Sequence, residues 1–443
     1  MNKSLKKALS LFLSLTILMG CFCISWAVYG IDNIELNETN FADPVFKKLI
    51  GDKYDTEYPY GFLSAEEIAK IPSYFSITGV TVNGQQIKTL KGIEFFADRI
   101  ERLRCTDVQL EEIDVSALYK LTDLTVMNNK LTSLDVSCNS VLKMLNCTGN
   151  MLESLNLGTV NTITTLYCQT NKLTSLDVSN LTELVNFKCD QNELTSLNVT
   201  ANTKLSSFSC SKNHLASLDL SQNTSLGSIT DTHIGRQTVY VSAAVDGSAI
   251  VVPVAVDNNA CVTSSSFDTE DASNFADGKF TAYDVADING GIDYTYSTQN
   301  TNSTDMQVHV NVTRNFYQIR FYTGASMSIL AGKCFVEANS AAPAPEMMAP
   351  QCKALDRWSS DISNVTADMD IYPIWKDSHT YALAGFENGI ATIACVNQDD
   401  SYTVAFEDCI NAAAGDDNYC EYIDVVADGY INAKDYAKLI KMF

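Results

Sequence analysis

Basic residues, histidines and long apolar runs are all scarce in this sequence of 443 residues. Thirty lysines and arginines stand against 53 acidic residues, which gives a formal net charge of -23. Such a charge repels phosphate backbones and anionic lipid heads, so nucleic acid is not an expected partner. Beyond the first 27 residues no segment approaches the roughly 20 apolar residues that span a bilayer, so we expect no transmembrane segment in the mature chain.

Arrangements of catalytic side chains are also missing. The four histidines, His214, His233, His309 and His379, show no metal-ligand spacing. There is no serine elbow and no glycine-rich phosphate loop, so we expect a non-catalytic protein. The paired carboxylates of a glycoside hydrolase stay open as an alternative in so acidic a chain, although the modules below leave no room for an ordinary catalytic domain.

The first residues have the pattern of an export signal. Three lysines precede an apolar run, and Ser25 and Ala27 supply the small residues that a signal peptidase requires. We therefore expect a signal peptide over 1–27 and an extracellular protein, either secreted or associated with the cell surface. The alternative is a lipoprotein box, LMGC, which would place a lipid on Cys21.

A repeat of 21 residues dominates the middle of the sequence. The unit LTDLTVMNNKLTSLDVSCNSV begins at residue 121 and occurs five times without a gap up to residue 225, and a looser copy precedes it at 100–120. One unit alone cannot bury its apolar side chains, whereas stacked units share a continuous core. The spacing therefore predicts a solenoid over 99–235 with a short strand in each unit.

Asparagine and cysteine each occupy a column of the repeat. An amide at the point where each strand turns predicts a hydrogen-bonded ladder. Because Val126 replaces cysteine in one unit, we interpret the thiols as small buried apolar groups, in preference to a zinc or disulfide framework. The columns are Asn129, Asn150, Asn171, Asn192 and Asn213, and Cys105, Cys147, Cys168, Cys189 and Cys210.

Strand positions that flank the inward leucines are expected to form the concave face of the solenoid. Extended concave faces bind proteins or glycans, and arginine and tyrosine are enriched in binding hot spots. The plain alternative is a solvated face without a ligand. The residues that we expect to contact an unknown protein or glycan are Arg102, Arg104, Asn146, Tyr167 and Lys188.

Alternating valine, threonine and tyrosine after residue 235 predict strands. We expect a small antiparallel β-sandwich-like domain over 236–315, a second compact β module over 316–376 and a linker over 377–388. The second module carries prolines at its centre and ends on NVTADMDIYPIW. Trp358 and Trp375 are expected to lie in its core, and stacking on a sugar is the alternative.

Two oxygen-rich segments near the C-terminus have the spacing of calcium loops. DVVADGYINAKD, over 424–435, has glycine at the sharp turn, and NQDDSYTVAFED, over 397–408, is a weaker copy. We therefore expect Ca²⁺ as a cofactor. The expected ligands are Asp424, Asp428, Tyr430, Asn432 and Asp435 in one loop and Asn397, Asp399, Ser401, Thr403 and Asp408 in the other.

Several segments resemble known families. The units, which read L-x-x-L-x-C-x-x-N-x-L, resemble bacterial secreted leucine-rich repeat proteins, and 28–98 resembles the helical N-terminal cap that precedes such repeats. The module over 316–376 resembles the Listeria–Bacteroides repeat. The two loops of 389–443 resemble a type I dockerin. The implied fold class is multidomain α+β, in which a leucine-rich repeat solenoid is followed by small all-β modules and an EF-hand-like helical dockerin.

Within the cap, the stretch YDTEYPYGFLSAEE resembles another calcium loop. Gly61, Leu63 and Glu67 occupy their loop positions. Tyr58 and Tyr60 stand where oxygen ligands belong, so we interpret the loop as vestigial.

The dockerin resemblance implies a partner, the cohesin module of a scaffold protein. The modules together imply a non-catalytic component of a cellulosome-like complex that degrades polysaccharides. A cell-surface adhesin that uses the repeats is the alternative, and a polysaccharide hydrolase acting on O-glycosyl bonds ranks third. The cohesin-binding residues that the resemblance implies are Phe406, Glu407, Ala433, Lys434 and Tyr436.

Overall fold

Two compact units make up the chain in a computed structural model, one of 1–244 with 249–314 and the other of 245–248 with 315–443. The predicted signal peptide lies outside the residues that the structure describes. Among the described residues there is no helix with both the length and the apolar character that crossing a bilayer demands. The described residues are 33–57, 60–82, 84–228, 230–266, 275–350, 353–378, 381–395, 401–409, 427 and 432–442.

A parallel sheet of seven strands, here called the main sheet, runs through the first unit. The central residue of each repeat strand is buried and pairs in register with its neighbours, as Leu145 does with Leu124 and Leu166. One inward residue per unit thus joins a continuous apolar row. The strands are Tyr74–Thr78, Arg102–Thr106, Asp123–Thr125, Met144–Asn146, Thr165–Tyr167, Asn186–Lys188 and Ser207–Ser209.

The chain turns sharply after each repeat strand. Asn128, Gly149, Thr170 and Gln191 occupy equivalent positions in successive turns, and each has a positive φ, between 54° and 72°. This left-handed conformation is unfavourable for residues other than glycine, so the rest of the turn must hold it in place. A smaller parallel sheet of Ser133–Asp135 and Ser154–Asn156 follows two of these turns, and a short helix, Asp231–Ile234, comes after the last repeat.

The N-terminal cap mixes helices and strands, whereas the sequence predicted a helical one. Its strand Tyr74–Thr78 belongs to the main sheet and pairs with Arg102–Thr106, so the sheet begins well before the predicted boundary at residue 99. The reason is alternation: Phe75 and Ile77 are buried between exposed neighbours. The other elements are Asn33–Glu35, Pro44–Tyr54, Phe62–Ser64, Ala65–Ala69, Thr81–Val82, Gln85–Gln86 and the 3-10 turn Ile93–Phe96.

Two four-stranded sheets form the β domain that follows the repeats. The rings of Phe280 and Tyr294, one from each sheet, lie 5.7 Å apart. Arg236–Ser242 runs parallel to Met306–Thr313, so the domain is mixed and not wholly antiparallel as predicted. The sheets contain Arg236–Ser242, Met306–Thr313, Ile292–Tyr296 and Val262–Ser265, and Ala244–Asp246, Ala249–Pro253, Lys279–Ala282 and Phe275–Ala276, with 3-10 turns at Asn259–Cys261 and Val285–Asp287.

The second unit begins with a β module around a small apolar core. Trp358 packs against this core, with its ring 5.1 Å from that of Phe321, which confirms its predicted place. Trp375 is half-buried. The strands are Leu330–Glu337, Phe316–Tyr322 and Met369–Ile371 in one sheet and Lys353–Trp358 and Pro373–Asp377 in another.

The rest of the second unit contains a three-stranded antiparallel sheet and two helices. Its first strand, Tyr381–Glu387, lies in the segment predicted as a linker, so that prediction is wrong. Leu439 of the last helix packs into a core with Ala391 and Ile393. The remaining elements are the strands Ile390–Cys395 and Ser401–Ala405 and the helices Phe406–Cys409 and Ala433–Met442.

Candidate functional site

An asparagine ladder holds the main sheet in shape. The Asn171 Nδ2 donates to the carbonyl oxygens of Cys147 and Cys168, each at 3.1 Å, and its Oδ1 accepts the Leu152 N–H at 3.0 Å. Asn150, Asn192 and Asn213 repeat this pattern. Each amide therefore joins its own unit to the preceding one, and the predicted ladder is confirmed.

The cysteine column lies in the core behind the main sheet. Its five members are fully buried and free. Burial raises the pKa of the Cys147 thiol to about 12, which keeps it protonated. The interpretation of these thiols as small apolar groups is thus confirmed.

Sequence reasoning missed a second amide ladder, which is formed by asparagines near the end of three repeat units. Asn202 donates to the carbonyls of Val178 and Leu181, and Asn223 donates to those of Val199 and Asn202, at 2.8 to 2.9 Å. Asn139 has equivalent bonds. The available signal was an asparagine in three units at a position that carries leucine or valine in the others.

The β domain continues both ladders. Gln237 takes the next position after Asn213, because its Nε2 donates to the Cys210 carbonyl at 3.2 Å and its Oε1 accepts the Leu215 N–H at 3.4 Å. Asn300 takes the position after Asn223, bonding the carbonyls of Leu220 and Asn223 at 2.9 and 3.1 Å. The last repeat therefore ends on a domain that supplies the hydrogen bonds of a further repeat.

Two columns of side chains project from the exposed face of the main sheet. The residues on either side of each buried central residue form them, as Arg102 and Arg104 do around Leu103. Both arginines are exposed, whereas Asn146, Tyr167 and Lys188 are half-buried. The five residues predicted to meet a ligand all lie on these columns. Their members are Tyr74, Arg102, Asp123, Met144, Thr165, Asn186 and Ser207, and Ser76, Arg104, Thr125, Asn146, Tyr167, Lys188 and Ser209.

Both tyrosines of this face carry a cation over the ring. The Arg102 guanidinium lies 4.8 Å from the centroid of the Tyr74 ring, and the Lys188 Nζ lies 5.6 Å from that of Tyr167. Such contacts contribute about 0.5–1 kcal/mol at exposed sites and restrict the basic side chains to the face. Tyr74 was missed because its strand lies outside the repeat.

The charge of the face is opposite to that of the whole chain. Three basic residues and one acidic residue, Asp123, occupy the two columns. Within the described residues, Arg102, Arg104 and Lys188 take part in none of the ion pairs. The cationic groups of the face are therefore available to an external anion.

Asp190, two residues after Lys188, takes part in several hydrogen bonds. The carboxylate of Asp190 accepts the backbone N–H of Ser211 at 3.0 Å and its hydroxyl at 2.7 Å, and it also bonds the Ser209 hydroxyl. Asp190 therefore ties the last strand of the main sheet to the one before it.

The vestigial calcium loop of the cap is closed by its own backbone. The buried Glu67 carboxylate accepts N–H groups from Thr56, Glu57 and Ser64 at 2.6 to 2.9 Å. Burial tends to raise the pKa of this carboxyl, but the backbone hydrogen bonds, led by that of Ser64, outweigh burial and lower it. The loop thus satisfies by hydrogen bonds the group that a calcium ion would otherwise bind.

Some of the predicted C-terminal calcium ligands lie in a strand or a helix, and others lie outside the described residues. Ser401 and Thr403 belong to a strand that pairs with Ile390–Cys395, which corrects the prediction of a loop there, because a flat ladder does not wrap oxygens around an ion. Asp408 lies in the helix Phe406–Cys409. The other ligands of that loop, with three of the second loop, lie outside the described residues: Asn397, Asp399, Asp424, Asp428 and Tyr430.

The end of the second predicted loop does lead into a helix. The Asn432 N–H donates to the Asp435 Oδ2 at 3.0 Å, and the Asn432 Oδ1 accepts the Lys434 N–H at 2.9 Å. Asp435 is fully buried. The described residues contain no group of three or more side chains that could hold a metal ion.

The predicted cohesin-binding residues separate into a core residue and surface residues. Phe406 is 4% exposed and packs at 4.9 Å from the ring of Tyr436, so it belongs to the core and its prediction as a contact residue is wrong. Glu407, Lys434 and Tyr436 are exposed. Ala433 is the first residue of the last helix.

Comparison with known proteins identifies no family for this chain. No protein-family model matches the sequence, and no curated protein does. Solved structures to which the chain is similar include internalin C2 of Listeria monocytogenes, at 18% identity and a TM-score of 0.36, over 47% of this chain and 88% of that one.

Two further solved structures are similar to parts of this chain. The functional domain of InlJ from Listeria monocytogenes, which includes a cysteine ladder, has 16% identity and a TM-score of 0.18, over 63% of this chain and 99% of that one. A leucine-rich repeat protein of Leptospira interrogans has 19% identity and a TM-score of 0.22, over 31% and 49%. Scores this low carry no argument, so the assignment depends on the chain's own geometry: the period, the parallel main sheet and the ladder. The first unit contains a leucine-rich repeat solenoid.

Proposed function

We propose that this leucine-rich repeat protein acts outside the cell as a non-catalytic binding protein, and that the exposed face of its main sheet contacts a macromolecular partner. One observation supports the proposal most: the basic side chains of the face form no ion pair within the described residues, whereas the ladder amides behind it are bonded to the backbone. Arginine and tyrosine are enriched in binding hot spots, and the extended surfaces of repeat proteins are commonly used for binding.

A substitution that adds bulk tests the face directly. Thr165 lies in the middle of the main sheet and is half-buried, so Thr165→Trp should block a partner by steric overlap. Thr132→Trp makes the same change at an exposed position outside the main sheet and serves as the control. The labelled full-length protein would be applied to an array of extracellular proteins and glycans. We expect signals that the first substitution removes and the control keeps; equal signals from both variants would refute the proposal.

A second proposal concerns the C-terminal segment. We propose that Ca²⁺ binds the loop over 424–435 and orders a dockerin-like surface for a cohesin, which would attach the protein to a cellulosome-like scaffold. The observation that favours it is the buried Asp435, the last residue of the predicted loop, which lies in the first turn of a helix. Metal binding of this kind is coupled to folding, because an empty acidic loop repels itself.

Calorimetry of the full-length protein tests this second proposal. We expect Ca²⁺ uptake, and binding to at least one member of a cohesin panel that EDTA abolishes. Asp435→Ala should remove both, whereas Asp408→Ala, in the weaker copy whose Ser401 and Thr403 lie in a strand, should leave them. Absence of Ca²⁺ uptake by the unmodified protein would exclude the dockerin function and leave the adhesin-like function of the repeats.

The non-catalytic assignment also has its own test. Purified protein would be incubated with plant polysaccharides and assayed for new reducing ends. We expect none above a buffer blank; a steady, enzyme-dependent increase would instead place this protein among the hydrolases.

A further inference from the structure

We infer that the partner of the main-sheet face is an acidic polypeptide segment, held in an extended form between two cationic anchors. The inference rests on the proposed binding function of that face and adds the chemistry of its partner. The first anchor is Arg102 with Arg104, and the second is Lys188.

Register in the main sheet places the anchors on one line. Arg104 pairs with Thr125, Thr125 with Asn146, Asn146 with Tyr167, and Tyr167 with Lys188. Four strand spacings of about 4.8 Å therefore separate Arg104 from Lys188, about 19 Å in all. An extended chain rises about 3.3 Å per residue, so about six residues reach from one anchor to the other.

The cation–tyrosine pairs favour a carboxylate over a neutral sugar. Sugars stack on bare aromatic faces, but Arg102 lies over the Tyr74 ring and Lys188 over the Tyr167 ring. The same contacts restrict the two cations before a ligand arrives, so less side-chain entropy is lost on binding a carboxylate. The anchors are thus preorganised for anions, and each of the two rings already has a cation over one face.

Side chains between the anchors suit a peptide backbone. Thr125 and Asn146 are short and half-buried, and they offer hydroxyl and amide groups to a chain that crosses them. The only acidic side chain on the two columns is Asp123, whose Oδ2 accepts the Thr122 hydroxyl at 2.6 Å. The whole chain has a net charge of -23, whereas the two columns carry three basic residues and one acidic residue. Charge complementarity therefore favours an acidic partner for these columns.

The test uses the full-length protein and a defined probe, an oligomer of L-glutamate about 12 residues long, which exceeds the estimated six-residue span. Binding would be measured by fluorescence anisotropy at several salt concentrations. We expect binding that weakens with salt and falls roughly five- to tenfold in Arg104→Gln and again in Lys188→Gln. Lys130→Gln, an exposed lysine outside the two columns, is the matched control and should bind as the unmodified protein does.

Each other outcome overturns the inference. These are no binding of oligoglutamate, equal binding by all variants, and stronger binding of polygalacturonate, an anionic glycan, than of oligoglutamate. Thermal melting of the arginine and lysine variants, which lose only exposed or half-exposed charges, confirms that they are folded. A failed glutamate assay together with a Thr165→Trp effect on the array would reject the acidic polypeptide and keep the binding face.

Discussion

Single amide side chains connect neighbouring repeats in this solenoid. Asn171 satisfies two carbonyls and one N–H, all of them in buried backbone. Buried backbone groups that lose their partners are expensive, at about 1–3 kcal/mol each. The Asn171 side chain therefore contributes more to the free energy of unfolding than its size suggests.

We expect Asn171→Ala to lower the free energy of unfolding of the repeat unit by about 2–4 kcal/mol, because three backbone groups lose their partner. Urea denaturation followed by circular dichroism measures the change. Asn161→Ala, an exposed asparagine in the preceding unit, is the control and should change stability by no more than about 0.5 kcal/mol. A similar, small effect of both substitutions would argue against the ladder.

The stability of the N-terminal cap depends on pH through the carboxyl group of Glu67. Its pKa is lower in the folded protein than in the unfolded chain, where a glutamate has a value of about 4.3. The stability that it contributes is therefore present above that value and lost as the pH falls through the lower folded value. We expect Glu67→Gln to reduce the melting temperature at pH 7 and to flatten the profile between pH 5 and pH 3, with the exposed Glu66→Gln as control. A profile unchanged by Glu67→Gln would contradict the role assigned to its carboxylate.

At the scale of elements, the β domain completes the solenoid. Gln237 and Asn300 place side-chain amides where a further repeat would place its ladder asparagines. The end of a solenoid must be covered, because its open edge would otherwise pair with other chains. Here the hydrogen bonds of Gln237 and Asn300 cover the C-terminal end of the repeats.

We expect Gln237→Ala to speed hydrogen exchange at the Leu215 amide, because that N–H loses its acceptor. Mass spectrometry of peptides from the last repeat measures the rate. Gln222→Ala removes an exposed glutamine whose side chain donates to the Ser221 hydroxyl, and it should leave the rate as it is. Protection at Leu215 that survives Gln237→Ala would show that the domain does not continue the ladder.

The elements that could be predicted from the sequence are those that recur in every repeat unit. The repeat strands and the first ladder follow from patterns that recur every 21 residues. The strand Tyr74–Thr78 occurs once, so no period revealed it. Gln237 lies outside the repeat pattern, and Asn300 bonds carbonyl groups about 80 residues earlier in the chain, so no local pattern indicates either residue.

On the scale of the whole molecule, the chain is divided into two compact units, 1–244 with 249–314 and 245–248 with 315–443, and the second contains two apolar cores. We expect scanning calorimetry to resolve at least two transitions, since compact units built from their own residues unfold separately. Asn171→Ala should lower the temperature of one transition, and Phe321→Ala should lower that of the other. A single transition that both substitutions shift together would contradict two independent units.

Covered ends leave the number of repeats free to vary. The cap strand pairs with the first repeat, and the β domain supplies the amides that follow the last one. Every internal unit meets neighbours of the same kind, so recombination between copies could insert or delete a block of 21 residues without creating an unpaired edge. Each such event would lengthen or shorten the face by about 4.8 Å and change the spacing of the groups on it. Gain or loss of whole repeats in evolution can thus change the length of this surface in fixed steps, while the cap and the β domain at its ends stay the same.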